Sequence, residues 1–198
     1  MRFFKNNAES IIRLFVNQIG ITIFALFLYT AAGAMQKEGE STPVLFQVLI
    51  SVFSILFYFV LIYTVVWEIG AKDKIRIDAG RAEKQPFRGM LLGVYANIPN
   101  FVITGIAFIA ILLYTFGCGD IFYTIYTIPN IISRFFASMY LGVILGLTNA
   151  LEATKDLMIG IYYFIFPAIS FLVTHFAYVM GLHEKRIFPT VKNKKGNK

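Results

Sequence analysis

Two Pro-Asn pairs lie inside long apolar stretches, and their types and spacing could build a binding site. One is Pro99-Asn100, preceded by Asn97, and the other is Pro129-Asn130. Proline removes a backbone N–H donor and clashes with the preceding turn, and an asparagine after it can cap a helix that restarts there. The sequence therefore predicts that two neighbouring helices break at these positions.

Both breaks are predicted at a similar depth. Each proline lies about ten residues from the end of its apolar stretch, which corresponds to about 15 Å at 1.5 Å per residue. Each restarted half-helix would present its N-terminal amides, which favour an anion, at that level. Paired broken helices near the midplane bind substrates or ions in transporters. The alternative is a pair of ordinary proline kinks.

Arg134 is the one charged residue inside an apolar stretch after residue 90. An ionisable residue within the membrane indicates a functional site by default. The alternative is that its long side chain extends to the inner surface. The candidate ligand-binding residues are therefore Asn97, Pro99, Asn100, Tyr126, Pro129, Asn130 and Arg134.

Small residues follow Arg134 at intervals of four, at Ser138, Gly142, Gly146 and Ala150. Such a stripe lets two helix backbones approach closely. It predicts a helix-packing face, either within the chain or between two copies of it. Arg134 lies on or beside that face, because each step of four residues turns the helix by only about 40°.

The composition places these residues in a membrane protein. The chain of 198 residues is 58% hydrophobic and 15% charged, against about 25% charged in an ordinary soluble domain. Apolar runs long enough to cross a bilayer as helices occupy residues 11–35, 44–67, 90–116, 121–147 and 158–182. The predicted fold is all-α, a polytopic transmembrane helical bundle that forms a single domain over residues 1–182.

The first run is preceded by an amphipathic segment. Apolar residues recur there at helical spacing, at Phe4, Ala8, Ile11, Phe15 and Ile19. This pattern predicts the protein-facing side of a tilted first helix, or a helix that lies along the membrane surface. A cleaved signal peptide is disfavoured, because Arg13 and Asn17 make the run too polar.

Basic residues set the predicted orientation. They are concentrated near the N-terminus, in the loop 68–89 and in the tail 183–198. The N-terminus and the loop are therefore predicted to be cytoplasmic. Five crossings of the cell membrane would place the equally basic tail outside, against the same rule. Either the tail is an exception, or the region 121–147 is broken or re-entrant, which makes an even number of crossings and a total of six spans possible.

The sequence offers no recognisable catalytic or cofactor-binding constellation. One cysteine and two histidines cannot make a Cys/His metal set or an internal disulfide. We find no nucleophile with a base, no paired carboxylates and no phosphate-binding glycine loop, so the sequence predicts neither an enzyme nor a cofactor. A nucleic acid is a poor candidate partner despite the net charge of +7, because the composition is that of a membrane protein.

Two functions fit these patterns. The first is a small transporter, or a membrane subunit of a transport system, with its site at the broken third and fourth helices. The second is a non-catalytic accessory or scaffold protein that binds a membrane-protein partner, or a second copy, through the small-residue stripe and the basic loop. The tail, which is predicted to be disordered, would contact anionic lipid if it is cytoplasmic.

Overall fold

The protein folds as a bundle of α-helices. The structure, a computed structural model, describes residues 2–36, 42–148 and 155–187. In these ranges the helices are α1 (Arg2–Ala34), α2 (Val44–Asp78), α3 (Arg88–Thr115), α4 (Ile121–Phe136), α5 (Leu141–Thr148) and α6 (Lys155–Leu182). The predicted all-α class is confirmed. Of these helices, α1, α2, α3 and α6 are each long and apolar enough to cross a membrane.

Contacts between side chains fix the direction of α1 against α2. Arg13 of α1 lies 3.8 Å from Glu68, late in α2. Further along α1, the Tyr29 hydroxyl lies 2.6 Å from the Ser51 hydroxyl, early in α2. Residue numbers therefore rise in one helix as they fall in the other, and α1 and α2 are antiparallel.

Helices α3 and α6 are also antiparallel. Gly89, at the start of α3, packs against Tyr178 near the end of α6, and Gly160, near the start of α6, packs against Phe108 in α3. One end of the bundle therefore holds the start of α1, the end of α2, the start of α3 and the end of α6. We call it the charged end, because most basic residues of the sequence lie in or beside these four segments.

The fourth apolar run is divided into two helices. A 3-10 turn, Ser138–Tyr140, separates α4 from α5. The axes of Ile121–Phe136 and Ser138–Thr148 differ in direction by 69°. Because α3 ends and α6 begins at the end opposite the charged end, the chain between them leaves that end and returns to it. We call Ile121–Thr148 the bent segment. It corresponds to the broken or re-entrant alternative predicted for residues 121–147.

Side chains of α1 and α2 satisfy the backbone at the bend between α4 and α5. The Gly142 N–H donates to the Tyr29 hydroxyl at 2.9 Å and to Ser51 Oγ at 2.8 Å. The Thr22 hydroxyl donates to the Phe136 carbonyl at 3.4 Å, and the Ser138 hydroxyl donates in return to the Thr22 carbonyl at 3.0 Å. Non-helical backbone at membrane depth is tolerated only where it is buried in protein or lines a cavity. These contacts therefore explain how the bend is accommodated.

The two predicted breaks at proline are wrong. Pro99 lies within the continuous helix α3, and Pro129 lies within the continuous helix α4. One proline removes only one backbone hydrogen bond, whereas ending a helix in lipid would leave several backbone groups without partners. The break occurs instead after Phe136, where no proline is present and the hydrogen bonds from α1 and α2 are available.

The loop predicted over residues 68–89 is shorter in the structure. Helix α2 continues to Asp78, and only residues 79–87 connect it to α3. The extension packs closely on α6, since a Cβ atom on Gly70 would lie 3.0 Å from the Gly181 Cα. Lys74 and Asp78, one turn apart, also form an ion pair at 2.6 Å. Both contacts stabilise the helical form of a segment whose composition resembles that of a loop.

Candidate functional site

The two asparagines of the predicted ligand site face α6. Asn97 and Asn100 are both buried. Asn97 Nδ2 donates to Ser170 Oγ at 3.1 Å and to the Gly93 carbonyl at 3.0 Å, and Asn100 Nδ2 donates to Asn97 Oδ1 at 3.2 Å. The Asn100 Oδ1 atom has no hydrogen-bond partner within the described ranges. This polar group crosslinks α3 to α6.

The remaining residues around the two prolines do not join that group. Pro99 is exposed, and Pro129 and Asn130 are half-buried. Tyr126 is buried in a small apolar cluster with Ala107, Ala110 and Ile111 of α3. A polar contact between α3 and α4 is made by residues absent from the predicted site, with Thr104 Oγ1 lying 3.3 Å from Ser133 Oγ.

Arg134 lies on the outer surface of the bundle. It is exposed, in the last turn of α4. Among the residues that the structure describes, no hydrogen bond or ion pair joins it to Asn97 or Asn100, which lie in the interior. The predicted ligand-binding set is therefore divided between the α3–α6 interface and the outer face of α4.

The small-residue stripe faces α2 within the same chain. A Cβ atom on Gly142 would collide with the Gln47 carbonyl and would lie 2.8 Å from the Val48 backbone nitrogen. A Cβ atom on Gly146 would lie 3.1 Å from the Val48 side chain. Ser138 contacts α1 through its hydroxyl, and Ala150 lies outside the described residues. Three positions of the stripe are thus occupied by intramolecular contacts.

A buried charged cluster at the charged end was not expected from the sequence. Asp73 is only 4% exposed, and its Oδ2 accepts from Arg88 Nη1 at 2.6 Å and from the Tyr178 hydroxyl at 2.8 Å. Asn7 Oδ1 accepts from Arg88 Nη2 at 2.6 Å and from Nε at 3.1 Å. The four residues come one each from α1, α2, α3 and α6, so the cluster ties all four long helices together. The sequence carries no local signal for it, because these residues lie far apart in the chain.

The chain folds back onto α2 after α6. The indole Nε1 of Trp67 donates to the Lys185 carbonyl at 2.7 Å, and the Arg186 guanidinium lies 4.1 Å from the centre of the Trp67 ring. The Ile187 N–H donates to the Tyr63 hydroxyl at 3.0 Å. The start of the predicted disordered tail is therefore attached to the charged end, and residues 188–198 lie outside the described residues.

Comparison with protein-family models, with curated proteins and with solved structures gives no match. In the described ranges, no three His, Cys, Asp or Glu side chains are grouped so that they could hold a metal ion. The length and hydropathy of the helices identify the chain as a multi-pass membrane protein.

Proposed function

We propose that the chain is a non-catalytic accessory subunit that assembles with a different membrane protein through the outer face of α4. The main observation in support of this proposal is that Arg134 is exposed on α4, a helix that ends inside the bundle. Arg134 is the thirteenth residue after Ile121, so it lies about 20 Å along α4 from the opposite end. Its neighbours on the surface are apolar, with Ile128, Ile131 and Phe135 all exposed.

An arginine in this position is costly when it faces lipid. Insertion of an arginine at the centre of a membrane helix costs about 2.5 to 3.5 kcal/mol. A carboxylate on a neighbouring transmembrane helix would offset this cost by pairing with the guanidinium in a low-dielectric setting. We therefore infer a partner helix that carries Asp or Glu at the depth of Arg134.

A second copy of the same chain fits this requirement poorly. The described acidic residues that precede α4 lie at the two ends of the bundle, with Glu9, Glu68 and Asp73 at the charged end and Asp120 at the opposite end. Two copies packed through α4 would thus offer no described carboxylate at the depth of Arg134. This distribution of charge supports a heteromeric partner over a homodimer.

The transport hypothesis receives less support from the same geometry. It placed Asn97, Asn100 and Arg134 around one cavity between broken helices. The asparagines are hydrogen-bonded to one another in the interior, and Arg134 is on the outside. The small-residue stripe also packs within the chain, so the partner surface we propose is α4 rather than the stripe.

The proposed topology is four crossings of the cell membrane and a re-entrant segment, with both termini in the cytoplasm. The parallel course of α2 and α6 supports it, because Gly70 and Gly181 meet at the charged end. The N-terminus, the connection 79–87 and the tail then share one side. The positive-inside rule is satisfied by all three basic regions together, and the conflict raised by five crossings disappears.

Labelling of single cysteines tests this topology. Cys118 is exposed in the turn between α3 and α4, so a membrane-impermeant maleimide is expected to modify it in intact cells. A Cys118→Ser, Glu83→Cys variant moves the thiol to an exposed site between α2 and α3 and should react only after lysis. A reporter fused after Lys198 should lie on the same side of the membrane as the thiol of Glu83→Cys. A reporter on the side of Cys118 would contradict the four-crossing arrangement.

Site-specific cross-linking tests the α4 surface. A photo-reactive residue replacing Ile131, one turn from Arg134, is expected to capture one membrane protein in native membranes. The added Arg134→Ala substitution should lower the cross-linked yield at least about tenfold, because the carboxylate of the partner is then left without its cation. Insertion and thermal stability of the protein itself should not decrease, since no hydrogen bond or ion pair of Arg134 occurs among the described residues.

The matched control places the same photo-reactive group at Leu172. This residue is exposed on α6 to a similar extent as Ile131 is on α4, 67% against 61%. Equal capture from both positions, or capture that survives Arg134→Ala, would refute the proposal. In the reverse test, Arg134→Glu combined with a basic residue in place of the partner's carboxylate should restore capture.

A further inference from the structure

We propose that the charged end contains a binding site for the phosphate of an anionic phospholipid, centred on Arg76 and Arg88. The site is a cavity of about 410 Å³ lined by Phe3, Asn6, Asn7, Arg76, Gln85 and Arg88. Its lining combines two guanidinium groups with three side-chain amides and includes no carboxylate. Arginine is well suited to phosphate, because its planar N–H groups bind two phosphate oxygens at once.

The Arg88 guanidinium is held in place for this role. Asp73 and Asn7 accept from three of its N–H groups, and an arginine has five. Two N–H groups therefore remain for a ligand. The Arg88 side chain retains 20% exposure, which gives the cavity access to it. The buried Asp73 thus fixes the orientation of Arg88 without occupying all of its donors.

Arg76 supplies a second positive charge to the cavity. Its side chain is exposed, and no ion pair or hydrogen bond to it occurs among the described residues. It also lines an adjoining cavity of about 260 Å³. Of the three carboxylates in that second cavity, two are already paired, Glu68 with Arg13 and Asp73 with Arg88. The third, Glu9, does not line the first cavity. Arg76 is accordingly free to contact an anion that enters from the membrane surface.

An apolar groove beside the cationic cavity favours a lipid over free phosphate. The groove, of about 350 Å³, shares Phe3, Gln85 and Arg88 with that cavity and extends to Phe87 and Leu91. Phe87 is 64% exposed and Leu91 is 40% exposed. The cationic cavity can hold a phosphate, and the exposed apolar groove that continues from it can hold an acyl chain of the same molecule. Basic pockets between membrane helices on the cytoplasmic side bind lipid headgroups in this way.

Lipid binding to the purified full-length protein tests the site. Retention of short-chain phosphatidylglycerol is measured by native mass spectrometry, with phosphatidylcholine as the neutral comparison. We expect phosphatidylglycerol to be preferred, and Arg76→Gln to weaken its retention about fivefold, as for the loss of one basic residue near an anionic surface. The matched control is Arg81→Gln, which removes an exposed charge that does not line the cavity and should change retention less than twofold.

The two sources of phosphate are separated by a second pair of measurements. Phe87→Ser should weaken phosphatidylglycerol retention while leaving any thermal shift caused by inorganic phosphate unchanged. Stabilisation by inorganic phosphate that equals stabilisation by the lipid would overturn the lipid assignment in favour of a soluble anion. Equal loss of retention in Arg76→Gln and Arg81→Gln, or no preference over phosphatidylcholine, would overturn the site itself.

Discussion

Replacing Gly142 with leucine is expected to prevent accumulation of folded protein. Any Cβ atom at this position would collide with the Gln47 carbonyl and crowd the Val48 backbone nitrogen. Both obstacles are backbone atoms of α2, so no flexible side chain can move aside. Overpacking costs about 1 to 3 kcal/mol even where side chains can shift, and we expect a loss of about 3 kcal/mol or more here. Size-exclusion chromatography and thermal denaturation in detergent measure it.

The matched control for this prediction is Gly20→Leu. Gly20 lies inside the long helix α1, where a Cβ atom would meet nothing within 4 Å. Removing a helical glycine at an open position stabilises a helix by about 0.5 to 1 kcal/mol, so the control should be neutral or slightly stabilising. A Gly142→Leu protein that is as stable as the wild type but has lost a bound partner would place the small-residue stripe in an intermolecular interface and contradict the packing on α2.

Removing the Asp73 carboxylate is expected to destabilise the protein by about 3 to 5 kcal/mol, as for other buried pairs that lose one partner. In Asp73→Leu, the largely buried Arg88 guanidinium loses its counter-ion and the Tyr178 hydroxyl loses its acceptor. The double variant Asp73→Leu, Arg88→Met should be more stable than Asp73→Leu alone, because it leaves no uncompensated buried charge. Chemical denaturation in detergent measures both free energies of unfolding.

An exposed ion pair on the same helix provides the control. Lys74 and Asp78 lie one turn apart, and their side chains are 37% and 55% exposed. Surface pairs of this kind contribute about 0.3 to 0.5 kcal/mol, so Asp78→Leu should have little effect on the free energy of unfolding. If Asp73→Leu also stayed within about 0.5 kcal/mol of the wild type, the cluster would not hold the four long helices together.

The long helices were predictable because the bilayer imposes their length. A run of about 20 apolar residues is needed to cross the hydrocarbon core, and such runs identified α1, α2, α3 and α6 correctly. The end of α2 was not predictable in the same way. Its last turns are charged, and they are helical because Gly70 packs on α6 and Lys74 pairs with Asp78.

The bend in the fourth apolar run could not be placed from the local sequence. Proline at residue 129 was the strongest local signal for a break, yet the break occurs between Phe136 and Ser138. Its position depends on Thr22, Tyr29 and Ser51, which lie more than 80 residues earlier in the chain. A sequence pattern that spans only a few turns of one helix does not include such contacts between helices.

The interior face of α1 shows a related limit. The apolar stripe through Phe4 and Ile19 was expected to face the protein. Its Ile11 is buried at 4% exposure and Ala8, Phe15 and Ile19 are half-buried, whereas Phe4 is 45% exposed. The buried face also includes Asn7, Gln18 and Thr22, which the stripe did not contain. In a membrane protein the lipid accepts apolar side chains as readily as the interior does. Polar residues within a membrane helix are therefore the better guide to its buried face, and by that rule the exposed Arg134 is exceptional.

The hydrogen bonds at Gly142 also impose an order of assembly. Alone in lipid, the bent segment would leave its bend without the acceptors of α1 and α2, at a cost of several kcal/mol for each unsatisfied group. The segment can therefore settle at its final depth only after α1 and α2 have been inserted and paired. We therefore expect the pair α1–α2 to form before the segment made about a hundred residues later completes its fold.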